Sequence, residues 1–386
     1  MRVLVDVPCN GISCEENMGG RRIWGTNLGR SLSMLGYSVA FGKQCLQASA
    51  DVIVMSAAKA AQYRRSNRSR QLLIATKVNS LPASMVIAPD VLVVGSWLHG
   101  HGNRVIHGHP ANKTLVLKHI EVPTGCWAAP ICEPYKMMPR HDPRLLSRSA
   151  TLCYHGNADH IVLATEMHAG MCELARTSGL YLNVHVLVGQ YLNASRLHGL
   201  TSCAAIHLSL YEWKDMTSTY NHLAKCDVGL VPNALPLAGG ARRIKASTGY
   251  KHAASIPHIG YRWKSSANGG RAMVFAQVGL PFVADPELEA VAILASSGLA
   301  VENHLASTPS EWAERLLLLL SDHERRISAA AALQSYAKRE LLPETLALPL
   351  HRRIQQLRGG SPIHRNPTKH YVPHLAPVWD TSHGSL

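Results

Sequence analysis

The sequence predicts an α/β protein with two domains, each built on a parallel sheet that carries helices on both faces. The first observation is length, because 386 residues exceed what one ordinary hydrophobic core supports. The second is a rhythm of short apolar strands that alternate with helices, which favours parallel sheets. The third is composition, because 46% hydrophobic and 17% charged residues are typical of a globular chain and not of a disordered one.

The first domain is expected over residues 1–145. A first strand ends near Val7, and the pair Gly19-Gly20 opens a helix through Tyr37. Gly36 lies where a helix C-terminus favours a positive φ. The apolar residues of this helix recur at spacings of four, four and three and form one stripe: Trp24, Leu28, Leu32 and Leu35. Further strands are predicted over 38–41, 51–55, 71–75, 91–94 and 114–117.

The second domain is expected over residues 150–340. Its predicted strands are 151–154, 182–188, 204–208, 227–231 and 280–284, and a helix is predicted over 160–178, ending at Gly179. Two closing helices are expected to begin at capping boxes, one at Thr308 and one at Ser321. Beyond them we expect a helix over 341–358 that packs back on the first domain, and a poorly ordered tail over 359–386.

The charge balance indicates an anionic partner. Lysine and arginine number 39 against 25 acidic residues, a formal net charge of +14. A nucleotide, a phospholipid surface or a nucleic acid would each suit this charge. Because the excess is not gathered into one basic helix and only three Phe offer stacking surfaces, we expect no nucleic acid.

Cysteine usage favours a reducing compartment. The nine cysteines are odd in number and contain no CxxC pair, so neither a metal finger nor a disulfide scaffold is expected. The N-terminus leads directly into a strand and not into a signal peptide. We therefore expect a cytoplasmic protein, with peripheral contact to a membrane as an open alternative.

The stretch 263–285 carries the strongest hint of function. Small and polar residues from Lys264 to Gly270 predict a turn that exposes backbone N–H groups, and a short helix follows from Arg271 to about Val278. A helix N-terminus with a cation on each side, Lys264 and Arg271, would attract an anion. The alternative is that the serines of the turn only cap the helix and Lys264 is solvated.

Four segments together resemble the glycosyltransferases of the GT-B fold, most of all family 4. They are Met18-Gly19-Gly20 with its helix, Tyr154-His155-Gly156, the strand 226–232, and the run from Gly279-Leu280-Pro281 to Ala337. The resemblance covers most of 18–36 and 152–337. It implies two Rossmann-like doubly wound domains facing each other across a cleft. The C-terminal domain would hold a nucleotide-sugar and the N-terminal domain an acceptor hydroxyl, with no metal and no cofactor.

The resemblance implies roles for named residues. Lys264 and Arg271 would neutralise the leaving diphosphate and count as catalytic candidates. His99 follows the predicted strand 91–94 at the cleft edge and would act as a base or an acceptor contact. A metal at His99-Gly100-His101 is disfavoured because no carboxylate lies among the neighbouring histidines. The candidates for donor binding are Gly19, Gly20, Gly156, Asn157, Ser265, Ser266, Asn268, Gly269 and Gly270.

Two departures from the family pattern keep alternatives open. The family has an arginine after the glycine that corresponds to Gly156, where this chain has Asn157, and its glutamate pair falls here at Ser266 and Val274. One alternative is therefore a non-catalytic GT-B scaffold that binds a glycan or a partner protein. Another is a sugar-nucleotide epimerase or hydrolase on the same fold. The sugar and the stereochemistry stay open, and so does the acceptor, for which a glycan, a lipid-linked saccharide, a small molecule or an anionic compound are the alternatives.

Overall fold

The computed structural model describes residues 1–7, 22–42, 50–66, 71–76, 89–94, 111–121, 149–189, 192–232, 270–286 and 288–359. Two parallel sheets organise these residues, in agreement with the predicted α/β class. In the part of the chain that the structure describes, no helix is both long and apolar enough to cross a membrane.

The first sheet has six strands in the order β2-β1-β3-β4-β5-β6, and all of its pairings are parallel. The strands are β1 (Arg2–Val5), β2 (Ser38–Phe41), β3 (Val52–Ser56), β4 (Leu72–Thr76), β5 (Val91–Val94) and β6 (Thr114–Val116). Each lies within a residue or two of its predicted position. The four residues of β5 are all buried, as expected for a parallel strand that is covered on both faces.

Helices of the first domain begin with a π-helical segment, Arg22–Asn27, which continues directly into α1 (Leu28–Met34). The predicted apolar stripe is largely buried, with Leu28 and Leu32 fully enclosed. Gly36 has a φ of 87°, the conformation expected after a helix C-terminus. The second helix, α2 (Ala57–Ser66), follows β3 and has no counterpart among the predicted elements.

The second sheet has five parallel strands in the order β11-β10-β7-β8-β9. They are β7 (Ser149–Gly156), β8 (Tyr181–Val188), β9 (Ile206–Glu212), β10 (Val228–Val231) and β11 (Phe282–Ala284). The helices between these strands are α3 (Ala158–Val162), α4 (Thr165–Ser178), α5 (His198–Thr201), α6 (Met216–Leu223) and α7 (Gly270–Val278), and α8 (Leu288–Ser296) follows β11.

The helix predicted over 160–178 is wrong as a single element, because the chain turns between α3 and α4. Ala164 has a non-helical ψ of 58°, and the amide of Thr165 donates to the carbonyl of Leu163 at 2.9 Å. The C-terminal end is as predicted, with Gly179 in the left-handed conformation at φ 69°.

Three helices close the described part of the chain: α9 (Pro309–Ser321), α10 (His323–Glu340) and α11 (Pro343–Leu357). The capping box at Thr308 is confirmed, because Thr308 and Glu311 exchange side-chain to backbone hydrogen bonds. The box predicted at Ser321 is wrong, since Ser321 is the last residue of α9. Asp322 caps α10 in its place, its Oδ1 accepting from the amide of Arg325 at 2.9 Å.

Helix α11 lies on the first domain. It packs against α1, and His351 Nδ1 lies 3.0 Å from the hydroxyl of Tyr37. Arg353 donates to the carbonyl of Asn112 at 2.6 Å, and Arg358 donates to that of Asp51. Because the preceding helices belong to the second domain, α11 ties the two domains together.

A disulfide joins Cys153 of β7 to Cys226, 73 residues later. A single disulfide differs from the disulfide scaffold that was not expected, and no feature of the sequence indicated this pair. The sheet order is the reason, because β7 and β10 are hydrogen-bonded neighbours and Cys226 lies two residues before β10.

Candidate functional site

Helix α7 is positioned by close packing on the second sheet. All nine of its residues are buried. Phe275 lies so close to Gly229 of β10 that a Cβ there would be 2.8 Å from its ring, so only glycine permits the contact. Gly279, at φ 75°, ends the helix against Gln334, whose Nε2 donates to the carbonyl of Val278 at 3.0 Å. The packing therefore fixes the direction in which the N-terminus of α7 points.

The N-terminus of α7 meets the carboxyl ends of β7 and β10. Gly156 ends β7 and Pro232 directly follows β10, while α7 begins at Gly270. Ligands of open α/β sheets bind at this edge, outside the carboxyl ends of the strands. The first turn of α7 contains no acidic residue, so nothing on the helix itself opposes an anion at its positive end.

Arg271 is a buried cation at this edge, and its side chain is held in place by neighbouring groups. Its Nη2 donates to the carbonyl of Pro232 at 3.0 Å, and its guanidinium lies 5.6 Å above the ring of Tyr154. Only 6% of the residue is exposed. Gly156 lies beside this side chain, and its φ of 127° is a backbone conformation that favours glycine. An arginine held in this way keeps its charge in a fixed place.

The pKa of His155 depends on the burial and the charges at this edge. Its ring is buried, stands edge-on to Phe275 at 5.1 Å, and its Nε2 lies 3.5 Å from the carbonyl of Arg271. The pKa of His155 is lowered to about 3, mainly by burial and in addition by the positive charges of Arg271 and Arg22. His155 is therefore neutral at pH 7, and two arginines from different domains act on one ring.

Arg22 comes from the first domain and is paired with Glu121. The Nη1 of Arg22 lies 2.6 Å from Glu121 Oε2, and the two side chains are 6% and 7% exposed. The guanidinium also lies 5.8 Å from the ring centroid of Trp213, which follows β9 of the second domain. The ion pair thus lies where the two domains meet.

Gln277 of α7 forms a second connection at the same place. Its Nε2 donates to the carbonyl of Glu121 at 2.9 Å, and its Oε1 accepts from the hydroxyl of Tyr220 on α6. Helix α7 is therefore hydrogen-bonded to the first domain at Gln277, two turns after the helix begins at Gly270. The arrangement places fixed positive charge and a helix N-terminus at a domain boundary, which suits an anionic ligand.

Four of the predicted site residues lie in the described part of the chain, and the structure brings them together. Gly156, Gly270 and Arg271 are neighbours at the edge described above, and the carbonyl of Asn157 accepts from the hydroxyl of Tyr154. The remaining predicted residues lie outside the described residues: Gly19, Gly20, His99, Lys264, Ser265, Ser266, Asn268 and Gly269.

Sequence reasoning missed Arg22, Glu121 and His155 as parts of this site. Arg22 offered a weak signal, because it follows the glycine pair that was selected as donor-binding. Glu121 offered none, since it lies 99 residues from its partner. His155 belongs to the segment Tyr154-His155-Gly156, but only its burial in the folded chain shows that it is neutral.

Comparisons with known proteins identify the fold of this chain. No family model matches the sequence, and no curated protein matches it. Among solved structures, a glycosyltransferase from Rickettsia africae ESF-5 is 11% identical and has a TM-score of 0.60, over 93% of this chain and 99% of that chain.

Two further structures show the same likeness. WaaG, a glycosyltransferase involved in lipopolysaccharide biosynthesis, is 10% identical with a TM-score of 0.50, over 93% of this chain and all of that chain. A trehalose-6-phosphate synthase is 12% identical, also with a TM-score of 0.50, over 86% and 77%. Likenesses at such identities show the fold alone, and they agree with the two-domain arrangement of parallel sheets predicted from the sequence.

Proposed function

We propose that this chain, which has the GT-B fold of glycosyltransferases, moves a sugar from a nucleotide-sugar donor to a hydroxyl acceptor. The observation that supports this most is the meeting of Arg271, Gly156 and the N-terminus of α7 at the carboxyl ends of β7 and β10. Arg22 of the first domain also acts on His155 there, although its own charge is paired with Glu121. A nucleoside diphosphate is the leaving group whose charge this edge would balance.

The proposed reaction breaks the bond between the anomeric carbon and the diphosphate oxygen. The acceptor oxygen forms the new bond to that carbon and loses its proton, and the diphosphate departs with the additional negative charge. Arg271, the N-terminus of α7 and Lys264 would stabilise that charge. Fixed charges of this kind replace the divalent cation that other transferases place on the diphosphate. His99 stays the proposed base or acceptor contact.

Arg271 would act as a fixed charge more than as a flexible clamp. Its hydrogen bond to Pro232 and its position over Tyr154 hold the guanidinium before any ligand arrives. A group that needs no reorganisation stabilises developing charge more strongly than one that must be ordered first. His155, held neutral, leaves the anion site to the arginines.

The acceptor belongs by this proposal to the first domain. The formal charge of +14 suits an anionic or lipid-linked acceptor and a peripheral membrane contact, and a small neutral acceptor is the alternative. Likeness to WaaG and to the trehalose-6-phosphate synthase supports sugar transfer as a class of reaction without selecting among acceptors.

Binding of nucleoside diphosphates tests the proposal. The full chain is titrated calorimetrically with UDP, GDP, ADP and TDP, and the sugar nucleotide of each base is then tested for hydrolysis and transfer. Arg271→Met should weaken the affinity for the diphosphate that binds by about 10- to 150-fold, which corresponds to the loss of one charge-assisted hydrogen bond. Arg271→Lys should lose less, since it keeps the charge. Arg176→Met, at an exposed position late in α4, serves as the matched control.

Two outcomes would reject the proposal. Unchanged diphosphate affinity in a folded Arg271→Met variant would remove Arg271 from the site. Failure of the wild-type chain to bind any of the four diphosphates would favour the non-catalytic scaffold. The hypothesis of a non-catalytic scaffold also has support, because Asn157 replaces the family's arginine and Arg271 is hydrogen-bonded within its own domain.

A further inference from the structure

Two cysteines and two histidines of the second domain converge at one point of its sheet. The ligand atoms of Cys153, His185, His222 and Cys226 all lie within 4.8 Å of one another. We propose that, with both thiols reduced, these side chains hold one zinc ion in a closed structural site. The point lies about 10 Å along β7 from Gly156, given the rise of a strand, so the ion would not touch the diphosphate.

Secondary structure brings the four ligands together as two pairs, one on the neighbouring strands β7 and β8 and one at the end of α6 and in the turn that follows it. Cys153 and His185 are direct partners in the parallel register of β7 and β8, so their side chains lie side by side. His222 lies in the last turn of α6, and Cys226 follows four residues later where the chain turns toward β10. The Sγ of Cys226 is 3.6 Å from the carbonyl of His222, which shows how tightly the chain returns.

Distances between the donors fit a tetrahedral ion. His185 Nδ1 and His222 Nε2 lie 3.0 Å apart, and zinc–nitrogen bonds of about 2.0–2.1 Å at a tetrahedral angle require about 3.3 Å. The Cα atoms of Cys153 and Cys226 are 6.0 Å apart. In the structure the two sulfurs are bonded to each other, and in the dithiol form the same backbone leaves both within reach of one ion.

Charge and burial fit the same assignment. Two thiols would release their protons to solvent on binding Zn²⁺, and the two imidazoles would bind as neutral ligands, so the complex has no net charge. Neutrality matters because both cysteines are fully buried and a buried net charge is costly. The two histidine rings are half-buried, which gives the ion a path from solvent.

The surroundings orient the histidines. The ring of Tyr211 packs against both, with centroids 5.2 Å from His185 and 4.3 Å from His222. Two thiolates and two imidazoles are the donor set of structural zinc sites, and they are unsuited to Mg²⁺ or Ca²⁺. A metal here would fasten α6 to β7 and β8, and α6 carries the Tyr220 that supports Gln277 at the domain boundary.

A metal finger was not expected, because the sequence contains no CxxC pair. The proposed ligands come from β7, β8, the end of α6 and the turn before β10, so no short motif contains them. The competing description is a permanent disulfide beside a hydrogen bond between two neutral histidines.

Cobalt binding tests the proposal on the full chain. The protein is reduced with a non-chelating phosphine, stripped of metal and titrated with Co²⁺. We expect one equivalent to bind with thiolate charge-transfer absorption and the intense visible bands of tetrahedral cobalt, and we expect Zn²⁺ to displace it and to raise the Tm. His185→Gln/His222→Gln should lose this spectrum and weaken Co²⁺ affinity by more than about 100-fold.

A second cysteine pair provides the control. Cys172 and Cys203 are free and in contact with each other, so Cys172→Ser/Cys203→Ser removes two thiols elsewhere in the domain and should leave the spectrum unchanged. Single His185→Gln replaces the double variant if circular dichroism shows that the double variant is unfolded. Reduced, folded wild-type chain without tetrahedral cobalt, or a histidine variant that keeps the wild-type spectrum, would overturn the proposal.

Discussion

Replacing Glu121 by Gln removes the anionic partner of a buried arginine. Arg22 Nη1 and Glu121 Oε2 lie 2.6 Å apart, with side-chain exposures of 6% and 7%. The substitution keeps the size of the side chain and the carbonyl that accepts from Gln277, so only the charge changes. Breaking one partner of a buried pair costs about 3–5 kcal/mol, and we expect the free energy of unfolding of the first domain to fall by that amount.

The reverse substitution separates charge pairing from packing. Arg22→Met should also destabilise the first domain, because it leaves the Glu121 carboxylate buried without its cationic partner. The double variant should be more stable than the sum of the single effects implies, since two neutral side chains no longer require each other. We expect a coupling energy of at least about 2 kcal/mol.

Urea unfolding followed by tryptophan fluorescence and circular dichroism measures these values, with separate transitions analysed separately in this two-domain chain. Glu340→Gln is the control. Its partner Arg339 lies at 3.0 Å, but the two side chains are 29% and 49% exposed, so the effect should stay within about 1 kcal/mol. The reasoning is refuted if Glu121→Gln also stays within 1 kcal/mol, about the control's limit, or if the two single effects simply add.

Three further predictions concern the second domain. Gly170→Ala places a Cβ 2.5 Å from the Cβ of Trp312, between helices α4 and α9, and should lower the free energy of unfolding by about 2–4 kcal/mol in urea. Burial lowers the pKa of His168 from 6.5 to about 4, so the unfolded chain binds the extra proton between these values. The free energy of unfolding should be unaffected by His168 above pH 6.5 and should fall by about 3 kcal/mol as the pH decreases to 4. In His168→Gln this part of the loss should be missing. Gln277→Leu leaves the carbonyl of Glu121 without its donor and should cost about 1–3 kcal/mol, visible as a lower Tm.

Each of these predictions has a contrary result. An equally stable Gly170→Ala protein would mean that the two helices move apart at little cost. A pH profile of His168→Gln parallel to that of the wild type would assign the acid loss to other groups, such as His222, whose pKa burial lowers to about 4. A Gln277→Leu Tm equal to the wild-type value would show that the hydrogen bond between the domains contributes nothing measurable.

The candidate site was predictable only in its local parts. The sequence located Arg271 on the first turn of a helix and Gly156 at a strand end, because helix starts and strand ends leave short-range signals. It could not show that Arg271 donates to Pro232, 39 residues earlier, or that Arg22 pairs with a glutamate 99 residues later. Nor could it show that His155 is neutral, since that follows mainly from its burial in the folded chain.

What the sequence alone determined is therefore the class of fold, most of the strand positions and the helix ends at Gly36, Gly179, Gly279 and Thr308. These features follow from hydrophobic periodicity and from the backbone conformations that residues at helix termini prefer. Tertiary structure decided which strands lie side by side, and with that which distant side chains meet. Strand order leaves no periodic trace in a sequence, so the partners of Arg22 and the meeting of Cys153 with Cys226 exist only in the folded chain.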